Sequence, residues 1–221
     1  NYNSLILKSI SKVVSDGDYV VISEKAVSIA KNLIIDEGRV KPGLAARILS
    51  KIWMRLVWGL VLGKVCHMTR KTRRRLRNYP LKEGAAHKQI CLTYAGFFQS
   101  LRHGSEGGID VTNLPYSFAA LPLENPHLEA NRLQKQIHLE TGRKVSVMIV
   151  DTDKTYRLGN RNYTPLPKAI QGIVSGGGIF TYILCRVLRC KRRATPIGYA
   201  GESCSIETIL NISETANRVR G

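Results

Sequence analysis

The sequence predicts a fold that mixes α-helices with a β-sheet. Two apolar runs of strand length, YVVIS at residues 19–23 and VSVMIV at residues 145–150, are rich in β-branched side chains. Residues 44–63 instead have the rhythm of an amphipathic helix. With 221 residues, 43% of them hydrophobic, the chain suffices for one large domain or two small ones, and disorder is not expected.

The first part of the chain predicts a short helix over residues 5–14, a turn at 16–18 and the strand at 19–23. Glu24 and Lys25 follow this strand, and Ser28 lies three positions after Lys25. From spacing alone, Lys25 is interpreted as a surface lysine at a strand end, with ligand contact as the alternative.

Residues 44–63 are the most apolar part of the chain. Arg47, Lys51 and Arg55 recur every four residues, which places them on one face of a helix. The longest uncharged run, residues 56–63, is far shorter than the roughly 20 residues that a bilayer requires. The segment therefore predicts a packed amphipathic helix, or a helix at an interface, and no membrane span.

The charge balance points to anionic partners. Lys and Arg number 34 against 16 Asp and Glu, a formal +18, which favours nucleic acid, nucleotides, phosphorylated substrates or a membrane surface. Residues 64–77 carry seven basic side chains and no acidic one. This run is interpreted either as a solvated helix face or as a surface that binds phosphate or nucleic acid. A helix is predicted from Ala85 onward, and His87 near its start is interpreted as structural, with catalysis as the alternative.

Residues 104–122 form the loop that we interpret as the active-site loop. Gly107 and Gly108 permit a positive φ or a close approach of the backbone to a ligand. They deliver Asp110 and Asn113 on one short turn. A tight turn with an Asx motif is the alternative interpretation.

A helix and a strand follow this loop. Pro126 at a first-turn position and Gly142 after Thr141 delimit the helix, whose apolar stripe is Ala130, Leu133 and Ile137. The strand then stops at polar residues, Asp151, Thr152 and Asp153. Oxygen ligands at the carboxyl end of a buried strand often bind metal or phosphate, and this unit would return Asp151 towards Asp110.

The last third predicts a loop-rich segment over residues 154–167, in which Arg157 and Arg161 are candidates for phosphate contact. The glycines at 176–178 lack the pattern of a phosphate-binding loop and predict a turn between two strands. A helix is predicted at the end of the chain.

Five cysteines without a CxxC pair indicate a reduced, cytoplasmic compartment, and no signal peptide is visible. Cys185, Cys190 and Cys204 have no nearby histidine that would complete a zinc site. Because the chain begins at Asn1 rather than at Met, we expect both ends to belong to a longer protein.

Four segments, in the same order, resemble the coenzyme F420-0:L-glutamate ligase family, the γ-glutamyl ligases of deazaflavin biosynthesis. DGDYVVISEKAVSIA at residues 16–30 is similar to the family's DGDxLVVxxKxVSKAEGR, and GIDVTN at 108–113 is similar to its AGIDxSN loop. LPLENP at 121–126 resembles LPxDP, and the strand ending at Asp151 and Thr152, before Arg157, resembles a family strand that ends in DT ahead of an arginine patch.

The resemblance implies an α+β fold of mixed sheets with packed helices, a single catalytic unit over residues 1–221 and a homodimer. Two intertwined subdomains are an alternative arrangement, and a basic helical insert is expected at about residues 52–87. The implied reaction adds L-glutamate by a γ-linkage to coenzyme F420-0 or a related anionic carboxylate, through an acyl phosphate, with GTP and Mg²⁺ or Mn²⁺.

The resemblance also implies roles for individual residues. Asp110, Asp151 and Thr152 would bind metal, while Lys25, Ser28, Asn113 and Arg157 would contact the nucleotide; no catalytic acid or base is assigned. The chain departs from the family pattern at Ile29, where a lysine is expected, and at residues 31–33, which lack the acidic-Gly-Arg element. A non-catalytic RNA- or nucleotide-binding protein on the same scaffold, with residues 70–77 as its contact surface, is the alternative.

Overall fold

The computed structural model of the protein describes residues 2–111, 114 and 117–220. The helices are α1 (Tyr2–Ile10), α2 (Glu24–Ala30), α3 (Leu44–Ile48), α4 (Gly63–Val65), α5 (Arg70–Arg77), α6 (Lys82–Tyr94), α7 (Phe97–Ser100), α8 (Pro126–Thr141), α9 (Gly178–Val187) and α10 (Ile206–Arg220). A 3₁₀ turn spans Glu37–Arg39, and a π-helix spans Leu49–Leu62. The strands are β1 (Tyr19–Ser23), β2 (Ile34–Asp36), β3 (Phe118–Ala120), β4 (Ser146–Leu158), β5 (Arg161–Tyr163), β6 (Ile173–Val174) and β7 (Lys191–Ala200).

Strand β4 is the centre of a mixed five-stranded sheet. Its first half pairs in parallel with β1, from Tyr19 opposite Ser146 to Ser23 opposite Val150. Strand β7 runs antiparallel to β4 along most of its length, β5 pairs antiparallel with the end of β4, and β6 extends the sheet from β5. Strands β2 and β3 form a separate antiparallel pair. Helices and mixed sheets confirm the predicted α+β class.

Helices cover both faces of β4. Val147 and Ile149 pack in the same core cluster as the stripe of α8, whose residues are Ala130, Leu133 and Ile137. Met148 and Val150 belong to the cluster on the other face, with Ile209 and Leu210 of α10. Because both faces are buried, residues 147–150 of the strand are an uninterrupted apolar run rather than an alternating one.

The predicted amphipathic segment forms a continuous helical rod from α3 through the π-helix to α4. Trp58 is fully buried and packs with Leu76 of α5 and Ile179 of α9, while Arg47 and Lys51 face outward. None of the helices within the described ranges is both long and apolar enough to cross a membrane.

Two sequence predictions in the last third are wrong. Residues 154–158 were expected in a loop but continue β4 and form a hairpin with β5. The glycines at 176–178 lead into helix α9, which begins at Gly178, and not into a second strand. At residues 178–187 a short apolar run does not distinguish strand from helix by its periodicity. At residues 154–158 pairing with β5 and β7, which the local sequence does not encode, decides the outcome.

Candidate functional site

A small acidic cavity lies where β1 ends beside the middle of β4. Its volume is about 10 Å³, roughly the space for one water-sized sphere. The cavity is lined by Ser23, Glu24, Lys25, Ser28, Gly108, Asp110, Ala120, Leu121, Val150, Asp151 and Thr152.

The parallel register of β1 and β4 explains this position. Ser23, the last residue of β1, pairs with Val150 in the middle of β4, so the next residues, Glu24 and Asp151, emerge next to each other. Polar groups at the carboxyl edge of parallel strands form ligand sites in many α/β sheets.

The loop that contains Gly107 and Gly108 places a third carboxylate, that of Asp110, at the cavity. Gly107 and Gly108 both have positive φ, and Asp110 exchanges two backbone hydrogen bonds with Ala120 of β3, at 3.1 and 2.9 Å. This pairing holds the Asp110 side chain at the cavity, where its Oδ2 lies 2.7 Å from Nζ of Lys25.

Burial and mutual repulsion raise the pKa of two of the carboxyls. Burial, and then the charge of Asp151, raise the pKa of Glu24 to about 8, although the Leu123 N–H donates to it at 2.9 Å. Burial, and then the charges of Asp153 and Asp110, raise the pKa of Asp151 to about 6. The carboxyls are thus close enough to disfavour one another's ionised form.

The chemistry of the cavity fits a hard divalent cation such as Mg²⁺ or Mn²⁺. Asp151 Oδ2 and Ser28 Oγ are buried without a hydrogen-bond partner among the described residues. A Cβ on Gly108 would stand 3.5 Å from Glu24 Oε2 and 3.8 Å from Asp151 Oδ2, so the glycine leaves space between these oxygens. Carboxylate oxygens are the ligands that such cations prefer, and a cation would relieve their repulsion.

The structure brings five of the predicted site residues into this one cavity: Lys25, Ser28, Asp110, Asp151 and Thr152. Asn113 lies outside the described residues. Arg157 lies elsewhere, exposed near the β4–β5 hairpin, where it pairs with Glu207 at 3.4 Å.

Glu24 is the residue that sequence reasoning missed. It is 6% exposed and joins the two predicted carboxylates in the cavity. The sequence carries only a partial signal, because Glu24 directly follows the apolar run YVVIS just as Asp151 directly follows the apolar run VSVMIV.

A second, larger cavity shares strand β4 with the first. It has a volume of about 630 Å³. Asp153 and Lys154 line this second cavity, and they follow Asp151 and Thr152, which line the acidic cavity, directly in the sequence of β4. We call it the basic cavity, after its cationic lining residues Arg102, Lys154, Arg186, Arg189 and Arg192.

An ion pair connects the basic cavity with the active-site loop. Arg102 Nη2 lies 2.7 Å from Asp153 Oδ2, and both side chains are buried. Arg102 Nη1 also donates to the carbonyl of Ser105 at 2.7 Å. The acidic group in the lining is thereby neutralised, and the remaining arginines and Lys154 give the cavity a positive field suited to an anionic ligand.

Comparison with known proteins gives two matches. Residues 1–217 match the sequence model of the F420-0:Gamma-glutamyl ligase family. The uncharacterized protein MJ1361 of Methanocaldococcus jannaschii is 41% identical over 213 residues, which cover 92% of this chain and 73% of the relative.

Proposed function

The chain belongs to the F420-0:gamma-glutamyl ligase family, and we propose that it uses GTP and Mg²⁺ or Mn²⁺ to join L-glutamate, by a γ-linkage, to coenzyme F420-0 or a related anionic carboxylate. Membership of the family indicates a glutamate ligase role. The observation that carries the finer proposal is the convergence of Glu24, Asp110 and Asp151 on one cation-sized cavity beside a large basic one.

The proposed reaction has two steps. The acceptor carboxylate attacks the γ-phosphorus of GTP and releases GDP, which gives an acyl phosphate. The amine of L-glutamate then attacks the acyl carbon, and inorganic phosphate leaves as the amide forms. Activation is required because a free carboxylate is a poor acyl donor, and positioning with charge neutralisation supplies most of the catalysis in phosphoryl transfer.

Glu24, Asp110 and Asp151 would hold the cation, with Thr152 and Ser28 as further oxygen donors at the cavity. When bound, the cation neutralises negative charge on the transferring phosphoryl group. Lys25 orients Asp110 through their 2.7 Å ion pair and carries a positive charge at the point where phosphate oxygens would approach.

The basic cavity suits the anionic acceptor. At about 630 Å³ it lies within the range typical of small-molecule sites. Its arginines offer paired N–H donors that match phosphate and carboxylate oxygens. Because β4 contributes consecutive residues to both cavities, an acceptor bound there would lie beside the acidic cavity.

The proposal is tested by incubating the protein with F420-0, GTP, Mn²⁺ and hydroxylamine in place of L-glutamate. We expect a hydroxamate, the trapped form of the acyl phosphate, and with L-glutamate the γ-glutamyl product. Asp110→Asn and Asp151→Asn should each lower the rate at least about 100-fold, while Asp16→Asn, a remote surface change, keeps it. Product formation at an unchanged rate in both site variants would refute the assignment.

One observation favours a second candidate, an RNA-binding protein on this scaffold. Arg70, Lys71, Arg74 and Arg75 of α5 are exposed and line a surface concavity of about 450 Å³. Among the ion pairs of the described residues, none involves α5. This candidate requires RNA affinity that falls steeply with salt and is lost in an Arg74→Glu, Arg75→Glu double variant.

A further inference from the structure

A separate cluster of metal-ligand atoms lies on helix α6, outside the acidic cavity. His87 and Cys91 are one helical turn apart on α6, and Glu106 approaches them from the loop that leads to Gly107. The side chains of Cys91 and Glu106 are buried, and that of His87 is 12% exposed.

The two distances from His87 Nε2 to the other ligand atoms match a tetrahedral zinc site. His87 Nε2 lies 3.4 Å from Glu106 Oε2 and 3.5 Å from Cys91 Sγ, and all three atoms fall within 4.8 Å of one another. Zinc binds nitrogen and oxygen at about 2.0–2.2 Å and sulfur at about 2.3 Å, so tetrahedral neighbours are separated by roughly 3.3–3.6 Å. The two imidazole distances are of this length.

The surroundings orient both oxygen and nitrogen ligands. Glu37 Oε1 lies 2.6 Å from His87 Nδ1, so this carboxylate fixes a proton on Nδ1 and leaves the lone pair of Nε2 for an ion. Lys88 Nζ donates to Glu106 Oε1 at 2.6 Å, which leaves Oε2 on the side of His87 and Cys91. Metal-ligating histidines usually donate their other ring N–H to a carboxylate, a backbone carbonyl or water, and here a carboxylate takes that place.

The formal charges of the side chains in the cluster also permit a divalent cation to bind there. With a protonated imidazole and a neutral thiol, the positive charges of His87 and Lys88 balance the negative charges of Glu37 and Glu106. Release of two protons to solvent, one from His87 and one from Cys91, balances the uptake of one divalent ion. The buried cluster is thus neutral with or without the ion.

We propose that His87 Nε2, Cys91 Sγ and Glu106 Oε2 bind a zinc ion, with a fourth position for water. This site is distinct from the acidic cavity and would bind whether or not the protein ligates glutamate. Because Glu106 lies four residues before Asp110, the ion would tie α6 to the active-site loop.

Cobalt(II) serves as the spectroscopic probe. A thiolate ligand gives Co²⁺ a charge-transfer band in the near ultraviolet, whereas Co²⁺ bound by the oxygen ligands of the acidic cavity would lack this band. We expect the wild-type protein to show this band with one equivalent of Co²⁺, and Zn²⁺ to abolish it. Cys91→Ser should lose the band, and Cys66→Ser, which changes another buried cysteine, should keep it. Glu37→Gln should lower zinc affinity about 10–100-fold in chelator competition.

Absence of the band in the folded wild-type protein, or its persistence in Cys91→Ser, would overturn the proposal. If Cys91→Ser does not fold, X-ray absorption of the zinc-loaded wild-type protein decides the question. One sulfur at about 2.3 Å with nitrogen and oxygen neighbours is expected, and zero or several sulfurs would overturn the assignment.

Discussion

Gly108 controls the space inside the acidic cavity. Its φ is +95°, and an added Cβ would stand 3.1 Å from the Pro122 side chain and between the oxygens of Glu24 and Asp151. A larger residue here would both strain the backbone and occupy the space in which we expect the cation.

We therefore predict that Gly108→Ala lowers the free energy of unfolding by about 1–2 kcal/mol, the cost of a left-handed conformation for a residue with a Cβ, and also weakens Mn²⁺ binding. Gly17→Ala is the matched control, because Gly17 has φ +84° with no atom within 4 Å of the added Cβ. Urea denaturation and calorimetric titration with Mn²⁺ measure the two effects. Equal Mn²⁺ affinity in the two variants would contradict a cation beside Gly108.

The raised pKa values of Glu24 and Asp151 predict how the stability of the protein depends on pH. Their pKa values in the folded protein, about 8 and about 6, exceed those of the unfolded chain, so the folded state binds more protons over that range. In EDTA, stability should thus fall as the pH rises from about 5 to 8, by on the order of 3 kcal/mol. Urea denaturation at several pH values checks this.

Mn²⁺ should restore the lost stability at pH 8, because it binds the ionised carboxylates and only the folded cavity assembles them. Glu24→Gln removes one titrating group and should flatten the pH dependence in EDTA. A variant that follows the wild-type curve would show that Glu24 does not carry the effect.

The register of β1 against β4 assembles the acidic cavity. The strands themselves could be predicted from their apolar runs, and Asp110, Asp151, Lys25 and Ser28 from their motifs. Glu24 could not be assigned in this way, because it occupies a variable position of its motif and only the pairing of Ser23 with Val150 places it beside Asp151. Pairing between Ser23 and Val150, which are 127 positions apart in the chain, depends on the whole fold and not on local sequence.

Two glycines at the ends of helix α8 are needed for different reasons. One permits a local backbone conformation, and the other leaves room for packing between two elements. Gly142 ends the helix with φ +70° and has open space around it, so Gly142→Ala should cost about 1 kcal/mol. Gly198 of β7 faces the start of α8, where an added Cβ would lie 2.4 Å from the Pro126 carbonyl oxygen. Gly198→Ala should therefore cost more, about 3 kcal/mol or above. Denaturant titrations that rank the two variants in the opposite order would contradict this packing.

The molecule separates its charges between two neighbouring cavities, with carboxylates in the acidic cavity and arginines in the basic cavity. The formal charge of +18 predicted an anionic partner, but the composition did not show where it would bind. The residues around His67–Thr72, from the predicted basic insert, form one wall of the basic cavity, and α9 and the start of β7 contribute others. Sequence reasoning missed this cavity because its arginines are dispersed over distant segments that only the fold assembles.

We propose that Glu24, Asp110 and Asp151 form a metal-dependent nucleotide site. Calorimetric titration of GTP into the wild-type protein, with and without Mn²⁺, tests it most directly, with Asp151→Asn as the site variant and Asp16→Asn as the control. We predict GTP binding that requires Mn²⁺, persists in Asp16→Asn and is lost in Asp151→Asn. Binding of equal strength without Mn²⁺, or in Asp151→Asn, would contradict the claim.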